Sequence, residues 1–278
     1  MLDEIYREYE ASEEEWPEGY PRDKVVDQAR EALEEFFHAN SEDVFYMQQL
    51  EVFFEKQFYH WITSKAINEL IDEGLLNEEE RPLLGATRVK FVFSRGHRYH
   101  RRQIAEKLKV IREYSNPQIA SACGRQAEVL FFNGLTGRGF VCHGQNTNEH
   151  KGKKWAETDH DLDFILERDR KTYGAEVKNK FSYIDEEELS IKLNICRSLG
   201  VKPLFIMRGS PKSYNYRIWQ AGGYAMIFET EIYPFGQQDL VKRIKETLGL
   251  PADCPKAIPD GIIDRFVRWH CGGRAKRV

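Results

Sequence analysis

The chain has 278 residues, 41% of them AVILMFWYC and 31% charged, with a formal net charge of -4. That length allows one large domain or two ordinary ones, with a core that needs no covalent staples. No apolar run approaches the roughly 20 residues of a membrane helix, and the start MLDEIYREYE lacks the order of a secretion signal. The five cysteines are scattered, with no CxxC pair, which sets aside disulfide scaffolds and zinc knuckles. A cytoplasmic or nucleoid-associated protein with no membrane partner is expected.

The net charge hides a segregation. Residues 1–20 hold eight Asp and Glu against one Arg, so the rest of the chain is +3. Residues 86–125 hold ten Lys and Arg against Glu106 and Glu113, a local +8. Local field, not the chain total, governs contact with a polyanion, so nucleic acid stays in play alongside a plain solvated basic helix face.

In chain order, residues 1–21 read as an acidic arm. Residues 22–38 read as a helix with Val25, Val26, Ala29, Ala32, Leu33 and Phe36 or Phe37 as its apolar stripe. The aromatic run DVFYMQQLEVFFEKQF reads as a packed helix. HWITSKAINELIDEGLL reads as another, capped by Thr63 or Ser64, buried through Ala66, Ile67, Leu70 and Ile71, and ended by Gly74. Leu75 and Leu76 are expected to re-enter the core. A charged turn follows around Glu78–Glu80, then an alternating strand over 88–94. This order over residues 40–95 resembles a winged-helix domain. The resemblance implies that Lys65 and Asn68 lie on the exposed face of a recognition helix and that Arg88 and Lys90 flank a wing. Glu69, Asp72 and Glu73 on the same helix would repel phosphate, and keep a protein-binding winged helix open.

A basic helix over 101–113 ends at the Ser115-Asn-Pro117 break, the expected boundary, so the domains read as 22–114 and 115–278. A helix over 117–133 is expected to break at Gly134 and Gly137. Gly139–His143 reads as a strand, residues 144–155 as a mobile loop or flap, 161–166 and 173–178 as strands. A helix over Glu186–Leu199, buried through Leu189, Leu193, Cys196 and Leu199, precedes a strand over Lys202–Met207. A helix over 214–221, a strand over 224–229 and a short helix within 251–278 complete the chain, with Arg274–Val278 as a basic tail.

Glu176 and Lys178 are two apart on one strand and so share a face. If the strand bearing Asp163 pairs with it as a hairpin, the two carboxylates can meet. Two carboxylates favour a hard divalent cation, and a lysine beside them can orient a water and stabilise phosphoryl charge. Glu128, on the preceding helix, can add a third acid. Asp161 competes with Asp163 for the metal role.

Glu128, Asp163 and Glu176-Val-Lys178, in an order of helix, three strands, helix and strand over about residues 117–230, resemble the PD-(D/E)XK nuclease superfamily. The family motif begins Pro-Asp, whereas Leu162 precedes Asp163 here. The resemblance implies an α/β, restriction-endonuclease-like mixed sheet flanked by helices. It implies Asp163 and Glu176 as metal ligands, with the Val177 backbone carbonyl and Glu128 completing the set. Lys178 would position water, and Mg2+, or Mn2+ in its place, would be the cofactor. Gln145 and Lys180 are candidate contacts to the nucleic-acid backbone. The expected function is a metal-dependent DNA endonuclease of restriction or repair type on double-stranded DNA. It would act as a homodimer where both strands are cut. The alternatives are a non-catalytic winged-helix regulator on a nuclease-like scaffold, a protein-interaction adaptor, or a nuclease acting on RNA.

Overall fold

The computed structural model describes residues 24–272. The acidic arm, residues 22–23 of the first expected helix and the tail Arg274–Val278 lie outside the described residues. The architecture is α/β: a largely helical N-terminal region followed by a mixed β-sheet flanked by helices. The chain forms two compact units. One holds the residues up to Pro82 and Thr87–Ile104; the other holds Leu83–Ala86 and the residues from Ala105 onward. Among the described residues no helix is long and apolar enough to cross a membrane.

In the first unit, α1 (Lys24–Ala39) buries Val26, Ala29, Leu33 and Phe37, the spacing of one helical face. Val25, Ala32 and Phe36 pack at the edge of that core. The aromatic run is not one helix. It opens as strand β1 (Val44–Tyr46), all three residues buried, and turns into α2 (Met47–Phe54). β1 pairs antiparallel with β3 (Arg88–Ser94), Val44 opposite Phe93 and Tyr46 opposite Phe91. This cross-strand aromatic packing decides the local conformation. Helix α3 (His60–Asp72) starts a turn earlier than expected. Thr63 is therefore not its cap: it is buried, and its hydroxyl donates to the Tyr59 carbonyl at 3.4 Å. Ser64 Oγ instead donates to Glu51 at 2.7 Å. Leu76 is buried, but Leu75 is 50% exposed and does not join the core.

Glu78–Glu80 form no turn. They lie in strand β2 (Leu76–Pro82), an edge strand paired along its length with β3. A charged edge strand can pair on one side and stay solvated on the other. The unit thus runs helix, strand, helix, helix, strand, strand, with sheet order β1-β3-β2. Helix α4 (His100–Tyr114) follows.

Asn116 opens α5 (Pro117–Thr136), its side-chain oxygen accepting from the Gln118 N–H at 2.8 Å. Pro117 takes the first helical position, where its missing N–H costs nothing. Gly134 does not break this helix. The buried face Ala127, Leu130, Phe131 and Leu135 outweighs one glycine, a cost of about 1 kcal/mol. A Cβ at Gly134 would stand 3.2 Å from Ile263, so the glycine lets α9 (Asp260–His270) pack close.

The second unit's main sheet runs β10-β9-β8-β7-β4. Strands β4 (Val141–Thr147), β7 (Leu162–Arg168) and β8 (Lys171–Lys178) form an antiparallel meander. Strands β9 (Lys202–Met207) and β10 (Tyr224–Ile227) add in parallel, through crossover helices α6 (Glu186–Leu199) and α7 (Lys212–Gln220). Residues 144–155 are not a loose loop. β4 continues past a bulge at His143, and a hairpin of β5 (Glu149–His150) and β6 (Lys153–Lys154) follows. Trp155 is then buried with Leu162, Ile165 and Ile195, its backbone N–H donating to the Asn148 carbonyl at 2.8 Å. Buried aromatic area holds this segment in place. Beyond β10, β11 (Glu231–Ile232) pairs with β12 (Ala252–Asp253) across α8 (Gln238–Arg243).

Helix α6 lies against β8 with almost no clearance at Gly174. A Cβ there would meet Leu162 at 2.6 Å, Cys196 at 2.9 Å and Val201 at 3.0 Å. Gly174→Ala is therefore expected to lower unfolding stability by about 1–3 kcal/mol, the range for overpacked cores, measured by chemical denaturation. A neutral result would mean that Leu162, Cys196 and Val201 do not crowd Gly174 as these distances require.

Candidate functional site

Strands β7 and β8 stay in register only as far as Phe164 opposite Ala175. Beyond that pair Asp163, Glu176, Val177 and Lys178 lie past the ladder. Asp163 bridges the divergence with its side chain, its Oδ2 accepting from the Val177 N–H at 2.6 Å. A carboxylate thus takes the place of a ladder carbonyl. The N–H and C=O of one strand residue leave on the same edge, so the Val177 carbonyl also leaves β8 on the side of β7.

Glu176 is 2% exposed. Lys178 Nζ lies 2.9 Å from its Oε1 and Lys192 Nζ lies 2.7 Å from its Oε2. The second contact is close but poorly directed, because Oε2 makes no hydrogen bond. Lys192 is itself buried on α6, and its ammonium donates to the Asp161 carbonyl at 2.5 Å. Lys178 also donates to Glu188 Oε1 at 2.6 Å. Asp185 caps α6 by accepting from the N–H groups of Glu187 and Glu188, which sets Glu188 in the first turn, within reach of Lys178. Burial alone would lower the Lys178 pKa, but the Glu176 and Glu188 carboxylates outweigh it and raise it.

The acids crowd one another. Burial, then the charge of Glu176, pushes the Asp163 carboxyl up to about 7, against the Val177 hydrogen bond. Burial and then Glu176 also raise the Glu128 carboxyl, with Asp161 adding to the shift while Arg125 and Lys178 oppose it. Burial would raise Glu188 as well, yet its bond to Lys178 brings it down, with Lys192 and Lys180 contributing.

Of the residues expected from sequence, Asp163, Glu176, Val177 and Lys178 come together, with Glu128 near enough for its charge to be felt. Asp161 contributes its backbone carbonyl to Lys192. Lys180 is exposed beyond β8, within electrostatic range of Glu188. Gln145 is exposed on edge strand β4, opposite Phe164. Lys65 and Asn68 are exposed on α3 of the first unit. There Arg88 pairs with Glu80 at 2.7 Å, and Lys90 pairs with Glu78 at 2.7 Å and reaches Asn68 at 3.4 Å.

Two participants were not foreseen, Glu188 and Lys192. Lys192 falls at the third position after Leu189 and the fourth before Cys196, on the apolar stripe of α6. Leu193, expected there, is only partly buried. A lysine interrupting the apolar stripe of α6 was the available signal.

Asp163, Glu176, the Val177 carbonyl and the more distant Glu128 are all oxygen donors, the type that suits Mg2+ or Mn2+. Among the described residues no three His, Cys, Asp or Glu side chains are arranged as a ready metal set. The fit lies in the donor chemistry; Glu176 Oε2 makes no directed hydrogen bond but already faces the Lys192 ammonium at 2.7 Å. A divalent ion held there would relieve the repulsion that raises Asp163. No protein-family model, curated protein or solved structure matches the chain.

Two outcomes follow from this electrostatic arrangement. The folded-state pKa of Asp163, about 7, stands above the ordinary 3.8. The folded chain therefore holds that proton more tightly, and the stability it contributes is full below about pH 4 and lost as pH rises through about 7. In EDTA, Asp163→Asn should match the wild type near about pH 4 and exceed it by a few kcal/mol near about pH 8. A stability difference independent of pH would refute the raised pKa. Lys192→Met leaves a buried carboxylate with one ammonium fewer, and should cost of the order of 3 kcal/mol. Adding Glu176→Gln should recover part of that loss, and strict additivity in this double-mutant cycle would mean the two groups do not interact.

Proposed function

We propose that the chain is a metal-dependent endonuclease that hydrolyses phosphodiester bonds in double-stranded DNA, of restriction or repair type. The observation that carries this reading is the convergence of Asp163, Glu176 and Lys178 at the diverging end of β7 and β8. The order α5, β4, β7, β8, α6, β9, with an antiparallel meander continued by parallel strands, supports a restriction-endonuclease-like core of the PD-(D/E)XK kind. The order of the first unit, with its β2–β3 hairpin, supports a winged-helix module. Fold does not fix substrate, so the DNA assignment leans on the basic charge after β3.

Asp163, Glu176 and the Val177 carbonyl would hold Mg2+ or Mn2+, with Glu128 at the edge. A bound divalent ion would polarise the phosphate and favour ionisation of an attacking water. The chain's own groups do the rest. Lys178 presents an ammonium beside the carboxylates, placed to orient the water and to meet charge developing on a phosphoryl oxygen. Glu188 fixes that ammonium from the other side, and Lys192 fixes Glu176. With one such site per chain, cutting both strands calls for two copies, hence a homodimer.

One observation favours a second reading, a non-catalytic DNA-binding or regulatory protein on the same scaffold. Each Glu176 oxygen already faces an ammonium, so metal binding must compete with a lysine. Incubation with plasmid, single-stranded, branched and modified DNA, and with RNA, in Mg2+, Mn2+ or EDTA separates the two. Cleavage is expected in either metal and not in EDTA, and should fall about 100-fold or more in Asp163→Ala and Lys178→Ala. Undiminished cleavage by both variants would refute the site. Binding without cleavage under every metal condition would establish the regulator, and cleavage confined to RNA would move the substrate.

A further inference from the structure

The cations of the first unit occur in two electrostatic states. On the β2–β3 hairpin they are matched: Arg88 to Glu80, Lys90 to Glu78, and Arg81 to Glu79. Such surface pairs are worth only about 0–1 kcal/mol each, so breaking them is not the obstacle. What matters is that Glu78, Glu79 and Glu80 cancel Arg81, Arg88 and Lys90, so the hairpin offers a phosphate chain no net attraction.

The segment after β3 differs. Arg95, Arg98 and Arg101 are exposed. Arg95 donates to the Gly74 carbonyl at 3.4 Å, which leaves its charge uncompensated. Among the described residues, Arg98 and Arg101 have no carboxylate partner. Tyr99 between them is 76% exposed. The histidines of the same segment turn the other way. His97 is 5% exposed, with Nδ1 3.5 Å from Glu42. The His100 ring stacks on Phe93 at 4.4 Å between centroids, with its Nε2 3.5 Å from Glu79. Inward histidines thus fix the segment while its arginines and tyrosine project outward. These residues span seven positions, so they lie within about 20 Å of one another at full extension.

We infer that Arg95, Arg98, Tyr99 and Arg101 form the surface by which this unit grips the sugar-phosphate backbone of a nucleic-acid duplex, in place of the Arg88 and Lys90 hairpin. Arginine forks suit phosphate oxygens, and an exposed tyrosine suits sugar or base edges. The inference rests on the DNA part of the reading above and not on cleavage.

The test uses the full chain in EDTA and a fluorescent DNA duplex, titrated between about 50 and 200 mM salt, where each phosphate contact contributes about 0.9 to the log–log slope. Arg98→Ala/Arg101→Ala should reduce the slope by about 2 and weaken binding roughly tenfold or more. Arg98→Lys/Arg101→Lys should keep the slope, and Arg88→Ala/Lys90→Ala should leave it unchanged; circular dichroism checks folding of all three. An unchanged slope in the first variant, or a lost slope in the third, overturns the inference. So does binding to polyglutamate but not to duplex, which would assign the patch to an acidic protein. Duplex binding with the expected slopes by a chain that cleaves nothing would support the patch and remove the enzyme reading.

Discussion

The ionic contacts of Glu176 organise the second unit. A carboxylate at 2% exposure is costly unless its charge is met. Here it is met from two directions, by Lys178 on the same strand and by Lys192 on α6. The first contact follows from the two-residue period of a strand. The second requires α6 to lie across β8 at close range, which Gly174 permits by presenting no side chain to Cys196 and Val201. Lys192 then reaches the Asp161 carbonyl, the residue before β7 begins. One buried charge therefore links strand, helix and the start of the neighbouring strand, and Asp163 is placed by that linkage.

Much of this was legible in the sequence where local chemistry decides the outcome. The bounds of α6 could be read because Asp185 caps its start and Gly200, at φ +74°, closes its end. The pairing of Glu176 with Lys178 follows from their spacing. What could not be read depends on distant partners. Val44–Tyr46 has the composition of the helix that follows it, and becomes a strand because Phe91–Phe93 are there to pair with. Glu78–Glu80 resemble a turn until β3 supplies a ladder. Gly134 looks like a breaker because sequence does not show Ile263 packed against it. Lys192 was missed for a similar reason: helical periodicity marks its position as buried but does not say that an acid waits opposite.

The two units use charge in opposite ways. In the second, opposite charges are buried together and fix positions to within hydrogen-bond distances. In the first, paired charges on the hairpin are exposed and individually weak, and their effect is to cancel a field. Position in sequence does not reveal which cations are cancelled, since Arg88 and Arg98 belong to the same basic stretch. Only the acids across the hairpin distinguish them.

The candidate site is accordingly asymmetric. Glu176 faces two ammonium groups, whereas Asp163 accepts one backbone N–H, feels like charge from Glu176 and Glu128, and gains only a smaller offset from Lys192. The same burial that demands lysines around Glu176 pushes the Asp163 carboxyl up to about 7. Of the two strand carboxylates, Asp163 is thus the one whose demand for positive charge is less fully met. A cation drawn to this place would meet that demand first at Asp163, and would gain Glu176 only by taking over part of what Lys178 and Lys192 now provide. Any affinity for a cation would then be set less by the number of carboxylates than by how readily those two ammonium groups give way. For Lys192, that is governed by its hold on the Asp161 carbonyl and by the packing of α6.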